Sequence, residues 1–303
     1  MSSSTSSSRR FALAFVTVFF VSAVIFVAGS EALIRVYVAP RDTFDARKDA
    51  FLNGTETSAA FGDSRVVSGL VGGDGLANFA DAGADLDTIL GKLDAYIAMG
   101  RGRRIVLQLA PQHFALNRLN DNQQDRLQEF VDPQRGLLQF LRPHYRRYLF
   151  EYWSAVIDDP QLLWTNKPTA QATEVTETTL LDRPLADRWR QARIRTQLHI
   201  PVAGYATTQA MTQLRATLRR AKESGLEICL IGFPVSGIYR KAAAELPLFL
   251  DIRNFYKGFA RQFDMEHFDL WDAYDDRYFT NVDHLNDAGA RRMTREIRRR
   301  CRV

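Results

Sequence analysis

Two short segments near opposite ends of the chain contain residue types that could carry out acyl transfer. The first, residues 61–65, places Ser64 in a Gly-Asp-Ser turn, and the second, residues 281–286, places His284 among acidic and amide side chains. A serine hydroxyl is a poor nucleophile until a base takes its proton, and a histidine base needs a partner that holds its tautomer. The two segments therefore predict a serine nucleophile paired with a histidine base.

Each of these residues also has an ordinary structural alternative. Ser64 could cap the first turn of a helix in a loop after a strand, a role that serine often fills. His284 could be a surface residue where the last helix starts. The positions favour chemistry, because Ser64 follows the first predicted strand and His284 lies beside the carboxylate of Asp283 just before the last predicted helix.

Strands and helices alternate along most of the sequence that would position these residues. Compact apolar runs predict buried strands, and apolar residues spaced three and four apart predict helices. The predicted strands are 59–61, 104–110, 226–233 and 267–270, and the predicted helices are 86–99, 207–224, 248–263 and 287–300. This alternation predicts an α/β domain with a mostly parallel sheet. Ligands bind beyond the carboxyl ends of such strands, so Ser64, Gly83 and Gln112 should gather along one rim.

The region from about residue 115 to residue 205 has a different pattern and predicts a helical insertion over the sheet. Helical stretches at 123–130, 137–156 and 185–197 alternate with polar loops such as residues 165–178. Six arginines in these stretches are predicted to lie on an exposed face, which is either solvated or contacts a polymer: Arg142, Arg146, Arg147, Arg188, Arg190 and Arg193.

The N-terminal part of the chain predicts a membrane anchor. Residues 11–29 contain no charge and are long enough to cross a bilayer core as a helix. Arg9 and Arg10 favour a cytoplasmic N-terminus, so residues 1–10 would form a short tail and the bulk of the chain would lie outside. Residues 30–50 then form a charged connector, and residues 51–303 the α/β domain. A cleaved signal peptide is the alternative.

Composition limits the other classes of function. The chain is 46% hydrophobic and 25% charged, which is ordinary for a globular domain. Its net charge of +5 is spread along the sequence without an aromatic-basic module, so a nucleic-acid partner is not expected. The two cysteines, Cys229 and Cys301, have neither metal-ligand spacing nor a redox-pair spacing, and they do not require a disulfide. We therefore expect no metal and no cofactor.

Taken together, the two segments resemble the SGNH (GDSL-type) hydrolase superfamily. Its members begin with a Gly-Asp-Ser block that holds the nucleophile, as in residues 62–64, and end with an Asp-x-x-His block before the last helix, matched imperfectly by residues 281–284. The N-terminal anchor, the Asn78-Phe79-Ala80-x-x-Gly83 stretch and the His-Leu-Asn ending are similar to membrane-anchored members. Those include the D-alanyl transfer protein of teichoic acid synthesis and the alginate O-acetylation proteins.

The resemblance implies a three-layer α/β fold and a set of site residues. Ser64 would be the nucleophile and His284 the base, and the backbone amides of Ser64 and Gly83 would belong to the oxyanion hole. The acid of the family lies three residues before the histidine, where this chain has Asn281, so either Asp283 or Asn281 orients the ring; we favour Asp283. The Gly-x-Asn-Asp block of the family is absent, and Gln112 is the nearest amide that could serve the oxyanion.

The resemblance also implies a function. We expect a membrane-anchored acyltransferase or esterase in a bacterial inner membrane. Its expected substrate is an ester-linked acyl group of an extracytoplasmic polysaccharide, with acetyl as the favoured acyl group. A membrane-bound O-acyltransferase is the expected partner. One alternative is a non-catalytic scaffold or polymer-binding subunit for that partner, motivated by Asn281 in place of the acid. A simple esterase or lipase is the third hypothesis.

Overall fold

The computed structural model describes residues 5–40, 42–121, 123–133, 138–158 and 179–303 of the 303-residue chain. The predicted polar loop at 165–178 lies outside these residues. Contacts divide the chain into two compact units. One contains residues 1–45 and 132–172, and the other contains residues 46–131 and 173–303.

The larger unit is built on a five-stranded parallel sheet, as the alternating sequence pattern predicts. The strand order is β2-β1-β3-β4-β5, and every neighbouring pair is parallel. The strands are β1 (Ser58–Phe61), β2 (Leu76–Asn78), β3 (Arg104–Gln108), β4 (Glu227–Gly232) and β5 (Glu266–Asp269). All four residues of β1 are buried, which agrees with its central position.

The described residues contain helices between and around these strands. They are α1 (Thr5–Leu33), α2 (Phe44–Asn53), α3 (Ser64–Gly69), α4 (Leu86–Ala98), α5 (Leu116–Leu119), α6 (Gln124–Val131), α7 (Pro143–Asp158), α8 (Leu185–Leu198), α9 (Gln209–Glu223), α10 (Gly237–Ala243), α11 (Pro247–Gln262) and α12 (Asp287–Cys301). Short 3₁₀ turns include Pro111–Phe114, directly after β3.

Side-chain caps fix where the helices nearest the sheet begin. Asp85 accepts a hydrogen bond from the amide of Thr88 at the start of α4, and Thr208 accepts one from Met211 at the start of α9. Such caps satisfy amides that the first helical turn leaves without partners. Because α4 and α9 each precede a strand of the parallel sheet, their capped ends lie toward the carboxyl rim of that sheet.

The N-terminal helix α1 is long and apolar enough to cross a membrane, by length and composition. A signal sequence would have the same features. Eleven large apolar side chains between Phe11 and Phe26 are at least half exposed, which gives this helix an apolar surface. Those features fit a segment whose surroundings are lipid.

Two features of the structure differ from the sequence expectations. Arg142 was expected on an exposed face but is 6% exposed. It forms an ion pair with Asp45, with Nη2 2.5 Å from Oδ1, and lies over the ring of Tyr145. The predicted connector at residues 30–50 also contains the start of helix α2, which places Phe44 in the interior.

A disulfide joins Cys229 of β4 to Cys301 at the end of α12. The sequence spacing did not require this bond, because the two residues are 72 positions apart and only the fold brings their Cα atoms to 5.7 Å. The bond ties the terminal helix, which begins just after His284, to a central strand.

Candidate active site

The fold places Ser64 directly after β1, at the carboxyl rim of the sheet and at the first residue of α3. The turn before it is held by Asp63, whose carboxylate accepts from the amide of Arg65 at 2.9 Å and whose own amide donates to Oε1 of Gln108 at 2.8 Å. Glycine is needed at position 62, because a Cβ there would come within 2.3 Å of Val66. The Gly-Asp-Ser sequence therefore builds a rigid turn that presents the hydroxyl.

A second turn holds His284 at the same rim. Oδ1 of Asn281 accepts from the backbone amides of Asp283 and His284, both at 3.0 Å. The carbonyl of Val282, which lies between Asn281 and Asp283 in the sequence, accepts from the hydroxyl of Ser236 at 2.8 Å. These bonds fix the backbone that leads into His284, so the ring starts from a defined position.

The two turns bring Ser64 and His284 into hydrogen-bond contact. Oγ of Ser64 lies 2.8 Å from Nε2 of His284. The other ring nitrogen, Nδ1, lies 3.1 Å from Oδ1 of Asn281 and 3.2 Å from Oδ1 of Asp283. Both candidate orienting residues thus reach Nδ1. Either oxygen can accept a hydrogen bond from the Nδ1–H group while Nε2 accepts one from the serine hydroxyl.

Asp283 is the charged member of this pair and is 2% exposed. Burial by itself raises the pKa of its carboxyl group, but the hydrogen bond to His284 and the charge of Arg65 outweigh burial and hold that pKa far below its usual range. Its Oδ2 lies 3.3 Å from Nη2 of Arg65, and its Oδ1 lies 3.6 Å from Nε of Arg195. Asp283 therefore remains a carboxylate at neutral pH.

Two further residues surround the Arg65 guanidinium. Nη2 of Arg65 lies 3.3 Å from Nδ1 of His199. The same Nδ1 atom of His199 lies 2.8 Å from the hydroxyl of Tyr239. Burial, together with the charge of Arg65, lowers the pKa of His199 to about 3. His199 is therefore a neutral acceptor for these two donors at neutral pH.

Sequence analysis did not single out Arg65, Arg195, His199 or Tyr239. Arg195 and His199 belong to α8 and its end, and Tyr239 belongs to α10, so only the packing of those helices brings them to Asp283. The one available signal was Arg65, because a charged residue directly after a predicted nucleophile must face either solvent or the site.

Gln112, predicted near an oxyanion, lies in the 3₁₀ turn after β3 and is 2% exposed. Its Nε2 donates to Oδ2 of Asp63 at 2.8 Å. The amide is therefore engaged by the turn that precedes Ser64. Burial raises the pKa of Asp63, but contacts with His113, Arg65 and Gln112 together hold that pKa well below its usual range.

Gly83, the other predicted oxyanion residue, lies in the loop after β2 with a left-handed φ of +80°. Its carbonyl accepts from Arg118 and from Nε2 of Gln123. Two residues earlier, the amide of Asp81 donates to the carbonyl of Gly62 at 3.2 Å, and its carboxylate pairs with buried Lys92 at 2.6 Å. The Gly83 loop is thus tied to the Ser64 turn, while an oxyanion role for its amide stays a prediction.

Among the described residues, no group of three histidine, cysteine, aspartate or glutamate side chains is arranged to hold a metal ion. The geometry instead brings together a hydroxyl, an imidazole and a carboxylate. Those three groups, in this order, can activate a serine as a nucleophile.

Comparison with models of known protein families finds no match, and comparison with curated protein sequences finds no significant match.

Proposed function

We propose that this chain is a serine-dependent acyltransferase or carboxyl-ester hydrolase that works through an acyl-serine. The observation that supports the proposal is the 2.8 Å contact between Oγ of Ser64 and Nε2 of His284, with Asp283 and Asn281 at the opposite ring nitrogen. General-base assistance needs this contact within about 2.6–3.2 Å.

The proposed reaction has two steps. Oγ of Ser64 attacks the acyl carbonyl carbon of an ester while Nε2 of His284 takes the hydroxyl proton; the tetrahedral intermediate then expels the alcohol, which receives that proton. In the second step a sugar hydroxyl or water attacks the acyl-serine, His284 takes its proton, and Ser64 recovers the proton as its ester bond breaks. Asp283 stabilises the imidazolium that forms in each step.

The amides of Ser64 and Gly83 are proposed to stabilise the negative oxygen of the tetrahedral intermediate. Such pre-positioned donors often provide the largest electrostatic contribution to acyl transfer. The resemblance to SGNH hydrolases supports this assignment, together with the proposal of a three-layer arrangement around the sheet.

We further propose that the enzyme is anchored in a bacterial inner membrane, with its N-terminus cytoplasmic and its α/β domain outside. Arg9 and Arg10 before the apolar helix support this orientation. The Cys229–Cys301 disulfide supports it independently, because disulfides persist in oxidising compartments such as the periplasm. The proposed substrate is an acetylated extracytoplasmic polysaccharide, with a membrane-bound O-acyltransferase as partner.

The first experiment is to incubate the purified full-length chain with p-nitrophenyl acetate and to locate the acetyl group by peptide mass spectrometry. We expect the acetyl group on Ser64. We also expect the rate of p-nitrophenol release to fall by a factor of about 10³ or more in Ser64→Ala and in His284→Ala. Ser68→Ala is the matched control, since Ser68 lies one turn further along α3. Unchanged turnover in Ser64→Ala would exclude the proposal.

A scaffold function is the second candidate, and one observation favours it. The Gln112 amide donates to Asp63, so it is not free in this arrangement to serve an oxyanion. In cells that lack the native copy, a Ser64→Ala protein that restores polymer acylation would establish the scaffold function. A simple esterase, the third candidate, would hydrolyse small esters and transfer no acyl group to a glycan.

A further inference from the structure

A cavity of about 130 Å³ is lined by neighbours of the Asp63 turn and of the Gly83 loop, and neither Ser64 nor His284 is among its lining residues. Its walls include polar or charged side chains and two leucines: Asp87, His113, Arg118, Thr208, Leu86 and Leu119. It lies at the carboxyl rim of the sheet, because α4 and α9 both begin there and the turn after β3 supplies His113. Parallel sheets bind their ligands along this rim.

Two contacts connect the cavity to the site. Nε2 of His113 lies 3.7 Å from Oδ2 of Asp63, the residue before Ser64. Arg118, in another wall, donates to the carbonyl of Gly83, the predicted oxyanion residue. A molecule in this cavity would therefore lie beside the turn that precedes Ser64 and beside the Gly83 loop.

Buried polar groups without partners line the cavity. His113 is 1% exposed; its Nε2 faces the carboxylate of Asp63, whereas its Nδ1 has no hydrogen-bond partner among the described residues. Oδ1 of Asp87 is also buried without one. A buried donor or acceptor left without a partner destabilises the folded chain. Such groups in a cavity wall indicate that a polar ligand or water completes their bonds.

The lining selects a chemical class. Arg118 donates, Asp87 accepts and His113 can do either, while Leu86 and Leu119 provide apolar surface. A ring with several hydroxyls and apolar C–H faces matches this combination, whereas an alkyl chain would leave the charged groups unpaired. Pockets for whole drug-sized ligands measure roughly 300–1,000 Å³, so this cavity suits a single small ring.

We propose that this cavity is an acceptor subsite that binds one sugar residue of the glycan and places its hydroxyl next to the acyl-serine. The inference rests on the proposed function and deepens it. The bound hydroxyl attacks the acyl carbonyl, its proton passes to Nε2 of His284, and the bond from the carbonyl carbon to Oγ of Ser64 breaks. Ser64 then takes the proton from His284, and the acyl group leaves on the sugar.

The test measures transfer separately from acylation. The full-length chain is given p-nitrophenyl acetate with malto-, chito- or galacturonic oligosaccharides; acetylated oligosaccharide is quantified by mass spectrometry and acylation by p-nitrophenol release. We expect Asp87→Asn, which removes the charge from the acceptor, and Leu119→Trp, which fills the cavity, each to lower transfer about 10-fold more than acylation. Asp187→Asn, on the exposed face of α8, is the matched control.

A binding readout separates failure of the subsite from failure of the proposed reaction. Saturation-transfer NMR of the same oligosaccharides on the Ser64→Ala protein needs no turnover. Binding that disappears in the Ser64→Ala, Leu119→Trp double variant supports the subsite even where p-nitrophenyl acetate is not consumed. The subsite proposal would be overturned if none of the three oligosaccharide series binds. It would also be overturned if both cavity variants fold and keep the same ratio of transfer to acylation.

Discussion

At the scale of single residues, the two oxygens near Nδ1 of His284 differ in charge and in their other bonds. Oδ1 of Asn281 already accepts two backbone amides, which fixes the turn. Asp283 carries the charge that an imidazolium needs, and Arg65 and Arg195 hold its carboxylate in place. We therefore infer that Asn281 shapes the loop and that Asp283 stabilises the charged ring.

This division of labour gives a prediction. Asp283→Asn should lower kcat for p-nitrophenyl acetate by about 10³–10⁴, because the charge and the preferred tautomer are lost together. Asn281→Asp, which keeps the oxygen acceptor, should cost much less. Steady-state kinetics measure both. Thermal unfolding of the same proteins is needed as a control, because Asp283→Asn also leaves Arg65 without a buried counter-charge. A larger loss in Asn281→Asp would assign the orienting role to Asn281.

His199 gives a pH prediction on stability. Its pKa is about 3 in the folded chain and 6.5 as an ordinary histidine, so the unfolded state binds more protons between these values. Its contribution is fully present above pH 6.5 and is lost as pH falls toward 3. We expect His199→Gln to show a smaller decrease in unfolding free energy between pH 7.5 and pH 4.5 than the unsubstituted chain. Urea denaturation at the two pH values measures this; equal decreases would contradict it.

At the scale of elements, the apolar pattern predicted four of the five strands, β1, β3, β4 and β5, and missed strand β2 and helix α2. The runs that predicted β3 and β4 are continuous and apolar, so length and composition sufficed. Strand β2 has only three residues next to a glycine-rich turn, which leaves no period to detect. In α2, charged residues obscure Phe44 and Phe51, which are buried two turns apart on one face.

The same limit explains which site residues the sequence could indicate. Ser64 and His284 lie in turns with recognisable local motifs, so their types and neighbours predicted them. Arg65 and His199 act through contacts made by helices far apart in the chain, and no local pattern records such a contact. The distance between Cys229 and Cys301 is likewise set by how α12 packs on the sheet.

The disulfide gives a prediction on the last helix. Cys229→Ser with Cys301→Ser should lower the free energy of unfolding by about 4 kcal/mol, because the closed loop no longer restricts the unfolded chain. Calorimetry of the detergent-solubilised chain measures the shift. Dithiothreitol should lower the Tm of the unsubstituted chain and leave that of the double variant unchanged. A reductant effect of equal size in both would show that this bond is not the cause.

At the scale of the whole molecule, the apolar helix α1 and the Cys229–Cys301 disulfide both bear on the proposed location. The apolar helix α1 fits either a membrane span or a signal sequence, and its composition does not distinguish them. A signal peptide would be removed, whereas an anchor would remain attached to the domain. With the proposed cytoplasmic N-terminus, either one would put the domain outside the cytoplasm, where the Cys229–Cys301 bond can persist.

Orientation and cleavage can be measured together in a bacterial host. We expect a chain tagged at both ends to keep both tags, to stay in the membrane through an alkaline wash, and to lose the C-terminal tag when protease is added to spheroplasts. Arg9 and Arg10 should retain the N-terminal tag inside, since positive residues before a span favour the cytoplasmic side. Replacing both with glutamate should weaken this preference, and replacing Arg299 and Arg300 near the C-terminus is the matched control. A soluble product lacking the N-terminal tag would show a cleaved signal, and protection of the C-terminal tag would contradict the proposed topology.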